Sequence, residues 1–289
     1  MFPKKILFFG TPDIAVPSLE ALAQTKDIEI VAVCTFPDRK IGRHQVLTPC
    51  PVKVSAKKLG LPLEEIKTKQ DLTNVVSKYD FDLGIVIAFG MIFPKEILES
   101  GKFINVHFSL LPQYRGASPV QSAILNGDSV SGITFQRMTF QLDAGDILLQ
   151  TEYPIEGINT STVFQAFAEF TAELFPEFLT QEINPNPQNE KAATFCTKFT
   201  KTDGEIFPNK ETAENIYRKF LAFDIFPGIY IATSKGNVKL TEISLTPTEK
   251  DLKLPCAKNT SLFIHEAQVP GKKPMNISEI LKGNPKLFE

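Results

Sequence analysis

The sequence predicts an α/β protein: a parallel-sheet domain first, then a smaller β domain. Three observations carry this. The first 34 residues read strand, turn, helix, strand: apolar Lys5–Phe9, the turn Gly10-Thr11-Pro12-Asp13, helical spacing at Ala15, Leu19, Leu22 and Ala23, then β-branched Ile28–Cys34. Apolar strands recur at Leu83–Ala88 and Phe103–Phe108, after helical stretches at Val52–Leu59 and Gln70–Lys78. From Phe226 the composition shifts to short strands between Gly and Pro turns, Ile229–Thr233, Val238–Leu245 and Ser261–Glu266, the pattern of a small barrel or sandwich. A chain of 289 residues with 43% hydrophobic content suits two such domains.

Between these anchors the elements follow in order. Phe36–Pro51 is a long connection carrying Arg39, Lys40, Arg43 and His44 between prolines, and loops of that length in a compact domain are usually functional. Ser118 suits an N-cap, Pro119 a first helical residue, and Asn126-Gly127 a helix end. Ile133–Met138 and Ile147–Thr151 read as strands paired antiparallel across a loop containing Asp143. Thr160–Phe178 is a phenylalanine-rich helix, Asn184–Glu190 and the residues to Pro208 read as loop and linker, and Glu211–Phe223 is a helix.

The net charge of −2 is unevenly spread: residues 206–289 carry +3 and residues 1–205 carry −5. A C-terminal part able to meet an anion fits that asymmetry, as does an ordinary solvated surface. Cys34, Cys50, Cys196 and Cys256 lie far apart, without a CxxC pair or clustered histidines, so neither a zinc site nor a disulfide framework is expected. The N-terminal apolar run is broken by Gly10 and Pro12, and no 18-residue apolar stretch occurs. A soluble, cytoplasmic, metal-free protein is the expectation.

In open parallel sheets, ligands bind beyond the carboxyl ends of strands. Three turns fall at such ends, Gly10–Asp13, Phe89–Pro94 and Ser109–Gly116, and they should converge on one cleft. Gly10 is alone in its turn, so the GxGxxG dinucleotide fingerprint is absent. Along a strand ending at Phe108, Asn105, His107 and Ser109 share a face. An amide and an imidazole so placed can donate to an oxyanion, and a carboxylate from Asp143 can fix the imidazole tautomer and accept a proton. That is equipment for acyl transfer. Ser109 has no G-x-S-x-G elbow, so the attacking group must come from the substrate. The alternatives at this level are a structural histidine and an aspartate serving its turn.

A longer pattern narrows the choice. Asn105-x-His107-x-Ser109-Leu-Leu-Pro112-x-x-Arg115-Gly116, Asn126-Gly127-Asp128, Gly132-Ile-Thr134 and Leu142-Asp143-x-Gly145-Asp146 together resemble the folate-dependent formyltransferase family. The resemblance implies that Asn105, His107 and Asp143 are the catalytic trio, and that 10-formyltetrahydrofolate is the formyl donor. Phe9–Asp13, Pro37-Asp38-Arg39, Gly42-Arg43, Pro51-Val52-Lys53 and the ending Ile264–Met275 look like the branch of that family acting on initiator methionyl-tRNA, nearly over the full chain. That branch implies a Rossmann-like formyltransferase domain at 1–190, a linker at 191–208, and an OB-like β-barrel at 209–289 that helps hold tRNA. Folate is expected near Phe89, Met91, Ile92, Ser109, Leu110, Leu111 and Pro112; tRNA is expected at Arg39, Lys40, Arg43, Lys272 and Lys273. A monomer is expected.

Three departures stand out. The chain has no Trp, and Phe223–Gly228 occupies a segment where the family usually has one; Phe108 follows the histidine where a small residue is frequent; and Thr246–Lys258 is short, as though a barrel strand were trimmed. A sibling enzyme formylating an amino-sugar nucleotide would need neither the basic 37–51 loop nor the C-terminal lysines. A non-catalytic RNA-binding protein would not need the trio.

Overall fold

Lys5–Gly10 forms β1, buried from Ile6 onward, as a strand covered on both faces must be. It opens a computed structural model that describes residues 5–42, 44–248, 251–285 and 287–288. Helix α1 is Val16–Gln24, followed by β2 (Glu29–Thr35), β3 (Arg39–Ile41), β4 (Val46–Thr48) and α2 (Pro51–Lys58). Then come β5 (Leu63–Glu65), α3 (Lys69–Lys78), β6 (Leu83–Ile87), α4 (Lys95–Leu98), β7 (Phe103–His107) and β8 (Arg115–Gly116). The chain continues with α5 (Pro119–Asn126), β9 (Val130–Arg137), β10 (Ile147–Pro154), α6 (Thr160–Phe178) and β11 (Phe195–Cys196). It ends with α7 (Ala213–Ala222), β12 (Ile229–Thr233), β13 (Gly236–Ser244), β14 (Leu252–Pro255), β15 (Ser261–Gln268), β16 (Met275–Asn276) and α8 (Ile277–Gly283).

Two compact units result. One holds residues 1–119, 131–153 and 164–196; the other holds 120–130, 154–163 and 197–289. In the first, a seven-stranded sheet runs β10-β9-β7-β6-β1-β2-β5. Strands β5, β2, β1, β6 and β7 are mutually parallel, whereas β9 is antiparallel to β7. The chain builds outward from β1 to β2 and β5, then resumes on the other side with β6 and β7. That reversal between β1 and β6 is a topological switch point, with the crevice beyond the strands' carboxyl ends. Register places Gly10 opposite Ile87 and Val86 opposite Asn105, so His107 ends its strand beside that crevice.

Phenylalanine dominates the core of this unit. Phe9 packs edge-on against Phe89 and Phe93 with centroids 5.4 and 5.2 Å away, and Phe93 meets Phe103 at 5.3 Å. On the α6 side, Phe135 packs against Phe175 and Phe178 at 5.0 and 4.8 Å, and Phe108 against Phe167 at 5.4 Å. Phe108 is thus a packing residue, turned to the face opposite His107.

The second unit contains an antiparallel sheet, β12-β13-β15-β14 with β16 on β15, the small β domain that composition predicts. Strand β14 lies inside Thr246–Lys258, so a strand is present where the sequence reading expected one to be trimmed. The 36–51 connection also differs from expectation: β3 and β4 pair antiparallel as a hairpin, Arg39 opposite Thr48 and Ile41 opposite Val46. Lys53 clips its base, with Nζ 2.5 Å from Asp38 and 2.6 Å from Glu65. Hydrogen bonds to Asp38 and then Glu65 hold the Lys53 ammonium pKa above its ordinary value. Part of the expected 191–208 linker is structured too, since β11 pairs parallel with β8.

Candidate active site

Strand alternation sets Asn105 and His107 on one face, and the cross-strand register puts Gln136 opposite Asn105 and Thr134 opposite His107. The loop after β9 folds back so that Asp143 reaches this face. Its carboxylate accepts from the Gly116 N–H at 2.9 Å and from Gln136 Nε2 at 2.8 Å. Asn105 Nδ2 lies 3.5 Å from Asp143 Oδ1, and His107 Nδ1 lies 3.7 Å from Oδ2. The trio expected from the sequence is therefore brought together. The His107 and Asp143 side chains are only 7% and 10% exposed, so water screens their interaction weakly.

The partner that orients the imidazole is a different one. His107 Nε2 is 2.9 Å from the Tyr114 carbonyl, an obligate acceptor, so Nε2 carries a proton and donates. Nδ1 is the nitrogen left facing Asp143. Tyr114 has φ of 56°, and Gly116, with φ of 124°, has no room for a Cβ because the Cys196 carbonyl occupies that space. The turn is pinned from the side: Tyr114 N–H donates to Thr194 Oγ1 at 2.8 Å, Arg115 N–H to the Thr194 carbonyl at 2.9 Å, and the Cys196 thiol to the Tyr114 carbonyl at 3.4 Å.

Behind the site lies a buried cation. The Arg115 side chain is fully covered; it donates to Gln188 Oε1 at 3.0 and 2.8 Å and to the Glu190 carboxylate at 3.0 and 2.7 Å. The Arg115 guanidinium holds the Glu190 carboxyl pKa below its usual value. Gln188 in turn donates to the carbonyls of Asp143 at 2.9 Å and Gly145 at 2.7 Å. Sequence reasoning assigned no role to Tyr114, Gln136 or Gln188. Gln136 carried a usable signal, being two residues beyond Thr134 on a strand facing the trio; Gln188 carried none, sitting in a polar stretch.

The expected folate residues divide by exposure. Ser109 is buried with its hydroxyl on the Gln113 carbonyl at 2.6 Å, and Leu111 is buried with its N–H on Thr134 Oγ1 at 3.3 Å. Phe89 is a core residue, buried and stacked on Phe36 with centroids 4.9 Å apart. Leu110, Pro112 and Met91 are half-buried and Ile92 is exposed. Of the expected tRNA residues, Arg39, Lys40, Lys272 and Lys273 are exposed, and Arg43 lies outside the described residues. Among the described residues no group of three or more His, Cys, Asp or Glu could hold a metal ion, and no helix is long and apolar enough to cross a membrane.

Residues 4–179 match a family model described as formyl transferase, and residues 198–285 match one described as formyl transferase, C-terminal domain. A methionyl-tRNA formyltransferase of Campylobacter jejuni subsp. doylei is 37% identical, the match covering 97% of this chain and 96% of the relative. One of Latilactobacillus sakei is 36% identical, covering 96% and 94%. Among solved structures, an N-formyltransferase from Helicobacter canadensis in complex with folinic acid and dTDP-3-aminofucose has a TM-score of 0.68 at 18% identity, over 90% of this chain and 98% of that one. HypX from Aquifex aeolicus in complex with tetrahydrofolic acid has a TM-score of 0.64 at 15% identity, over 97% of this chain and 47% of that one. At those identities the structural likeness shows the fold alone.

Proposed function

The chain belongs to the formyl transferase family, and on that premise we propose that it moves the formyl group of 10-formyltetrahydrofolate to the α-amino group of methionine on initiator tRNA. The observation that carries the reading is the Asn105, His107 and Asp143 constellation at the carboxyl end of β7. Nearly full-length likeness to relatives named methionyl-tRNA formyltransferase supports this acceptor.

The chemistry needs an oxyanion site and a route for one proton. The methionyl amine attacks the formyl carbon, and negative charge develops on the formyl oxygen. Asn105 Nδ2–H and, when it carries a proton, His107 Nδ1–H donate to that oxygen; losing one such donor typically costs roughly 3 to 4 kcal/mol. Asp143 takes the amine proton directly or through a water. Collapse breaks the bond from the formyl carbon to N10, and N10 departs with the proton that Asp143 took, returned directly or through the same water, giving tetrahydrofolate, N-formylmethionyl-tRNA and an ionised Asp143.

For the donor, apolar walls with exposed backbone groups suit a flat pterin. Ile92 and Leu142, 68% and 65% exposed, support placing it against the 89–94 turn and the Asp143 loop. For the acceptor, the hairpin supports nucleic-acid contact: Arg39 and Lys40 project from β3, Arg43 follows in sequence, and Lys272 and Lys273 are exposed in the β domain. The enzyme would act in the cytoplasm, where charged initiator tRNA is used. One assay tests the reading: 10-formyltetrahydrofolate is offered with charged initiator tRNA, with an amino-sugar nucleotide, or with neither. Formyl transfer to the tRNA alone is expected; transfer to the sugar nucleotide instead would overturn it.

A further inference from the structure

We propose that Gln188 is a positioning residue for this reaction: it holds the Asp143 loop where the carboxylate faces His107, and the buried Arg115 guanidinium fixes its orientation. What the geometry is used for rests on the formyl-transfer reading above. The hydrogen-bond relay itself rests on donor and acceptor chemistry. A guanidinium can only donate, so the Gln188 atom lying 3.0 Å from Arg115 Nε and 2.8 Å from its terminal nitrogen is Oε1. The Gln188 NH₂ must then point the other way, where it meets the carbonyls of Asp143 and Gly145 at 2.9 and 2.7 Å, which can only accept. Both ends demand the same orientation, which removes the usual ambiguity of an amide.

The relay continues one step. The Asp143 carboxylate can only accept, so Gln136 presents its NH₂ to Oδ1 at 2.8 Å, which turns its Oε1 toward the Gln188 NH₂, 3.5 Å away. Asp143 is thus held at its main-chain carbonyl by Gln188 and at its carboxylate by Gln136. Asp143 has φ of 51°, in the left-handed region that Asp enters more readily than most residues with a Cβ, so the turn's backbone is compatible with its sequence and its position is set by what binds it. Gln188 binds the carbonyls on either side of Ala144, so it acts on the turn that carries Asp143. Glu190 secures the far side of Arg115 with two hydrogen bonds, at 3.0 and 2.7 Å.

Two variants of the full chain test this. Gln188→Glu keeps the length and still accepts from Arg115, but when ionised it has nothing to donate and adds a negative charge near Asp143. Gln188→Met keeps the volume and donates nothing. Hydrogen–deuterium exchange across residues 138–146 should be faster by about tenfold or more in both, since local opening loses its restraint. In transfer assays with 10-formyltetrahydrofolate and charged initiator tRNA, kcat should fall by roughly 10- to 100-fold, as misplacing a reacting group does. Each KM should stay within about threefold of wild type, and the acid limb of the kcat–pH profile should lie higher in Gln188→Glu than in Gln188→Met. Unchanged loop exchange overturns the inference, as does a kcat within about twofold of wild type in both variants. So does a loss of rate that merely follows a fall in melting temperature with no displacement of the pH profile. If the wild type itself forms no formylmethionyl-tRNA, the functional reading falls, and loop exchange alone decides the role of Gln188.

Discussion

Asp143→Asn tests the heart of the proposed chemistry, because it keeps the side chain's shape and exchanges one oxygen for NH₂. The two carboxylate oxygens accept from different donors, Gly116 N–H at 2.9 Å and Gln136 Nε2 at 2.8 Å. Whichever way the asparagine turns, its NH₂ confronts one of them. A buried donor left unpaired costs about 1–3 kcal/mol. For a chain of this size that is about 2–4 °C of melting temperature per kcal/mol, so a drop of roughly 2 to 12 °C is expected with the fold retained. The chemical loss is larger: without a carboxylate to take the amine proton, kcat should fall by about 100- to 10,000-fold. Initial rates at saturating 10-formyltetrahydrofolate and charged initiator tRNA, beside a thermal melt, separate the two effects. If the melt shifts while kcat stays within about threefold, Asp143 is a loop anchor only, and proton removal lies elsewhere.

Four further outcomes are expected. Asn105→Ala and His107→Ala should each lower kcat by about 100- to 1,000-fold in a folded protein; substantial retained activity in either removes that residue from the oxyanion site. Arg115 depresses the Glu190 pKa, so the stabilisation it supplies is present above the unfolded-state value of about 4.3 and is lost as pH falls through the folded value. Urea midpoints of wild type and Glu190→Gln should thus differ near neutral pH and draw together as the pH falls progressively below the unfolded-state value, whereas a gap that does not narrow in acid would show the contact is not ionic. Lys53→Met should loosen the β3–β4 hairpin, giving faster proteolytic nicking within residues 36–51 and a raised KM for tRNA with folate KM unchanged; faster nicking with an unchanged tRNA KM would detach the hairpin from tRNA binding. Replacing Arg39 and Lys40 by Ala should weaken initiator tRNA binding and flatten its salt dependence by up to about one unit of slope per lost phosphate contact, and an unchanged slope would assign both side chains to solvent.

How much of this was legible depends on what each element asks of its side chains. Strands β1, β2, β6 and β7 lie within a parallel sheet, so their sequences are near-continuous apolar runs. Asn105 and His107 interrupt such a run at alternate positions, which is why they could be found. The hairpin was not legible: Arg39, Lys40, Ile41, Val46 and Leu47 are all exposed, so neither strand has a buried face to alternate against. Its stability comes from ladder hydrogen bonds and from Lys53 gripping Asp38 and Glu65, none of which leaves a periodicity. Strand β14 failed for another reason. Its alternation, with Leu254 buried between exposed Lys253 and Pro255, is cut short by the proline before a pattern can be counted.

The site was half legible, and the missing half has one location. Given a histidine and a carboxylate on the same face, side-chain reasoning pairs them, and it assigns Asp143 the task of setting the tautomer. The structure gives that task to the Tyr114 carbonyl, at 2.9 Å from Nε2, while Asp143 stands 3.7 Å from Nδ1. Main-chain carbonyls occur at every residue, so no letter of the sequence marks the one that matters. What positions this carbonyl is equally hidden: Thr194 and Cys196 bind Tyr114, and β11 pairs with β8. Gln188, a few residues earlier, binds the Asp143 loop. Both neighbours of the His107 ring therefore depend on residues 188–196, a stretch whose polar composition reads as loop and linker. The Tyr114 carbonyl and the Asp143 loop are both held by short contacts from an irregular segment, and an irregular segment carries no period from which to infer them.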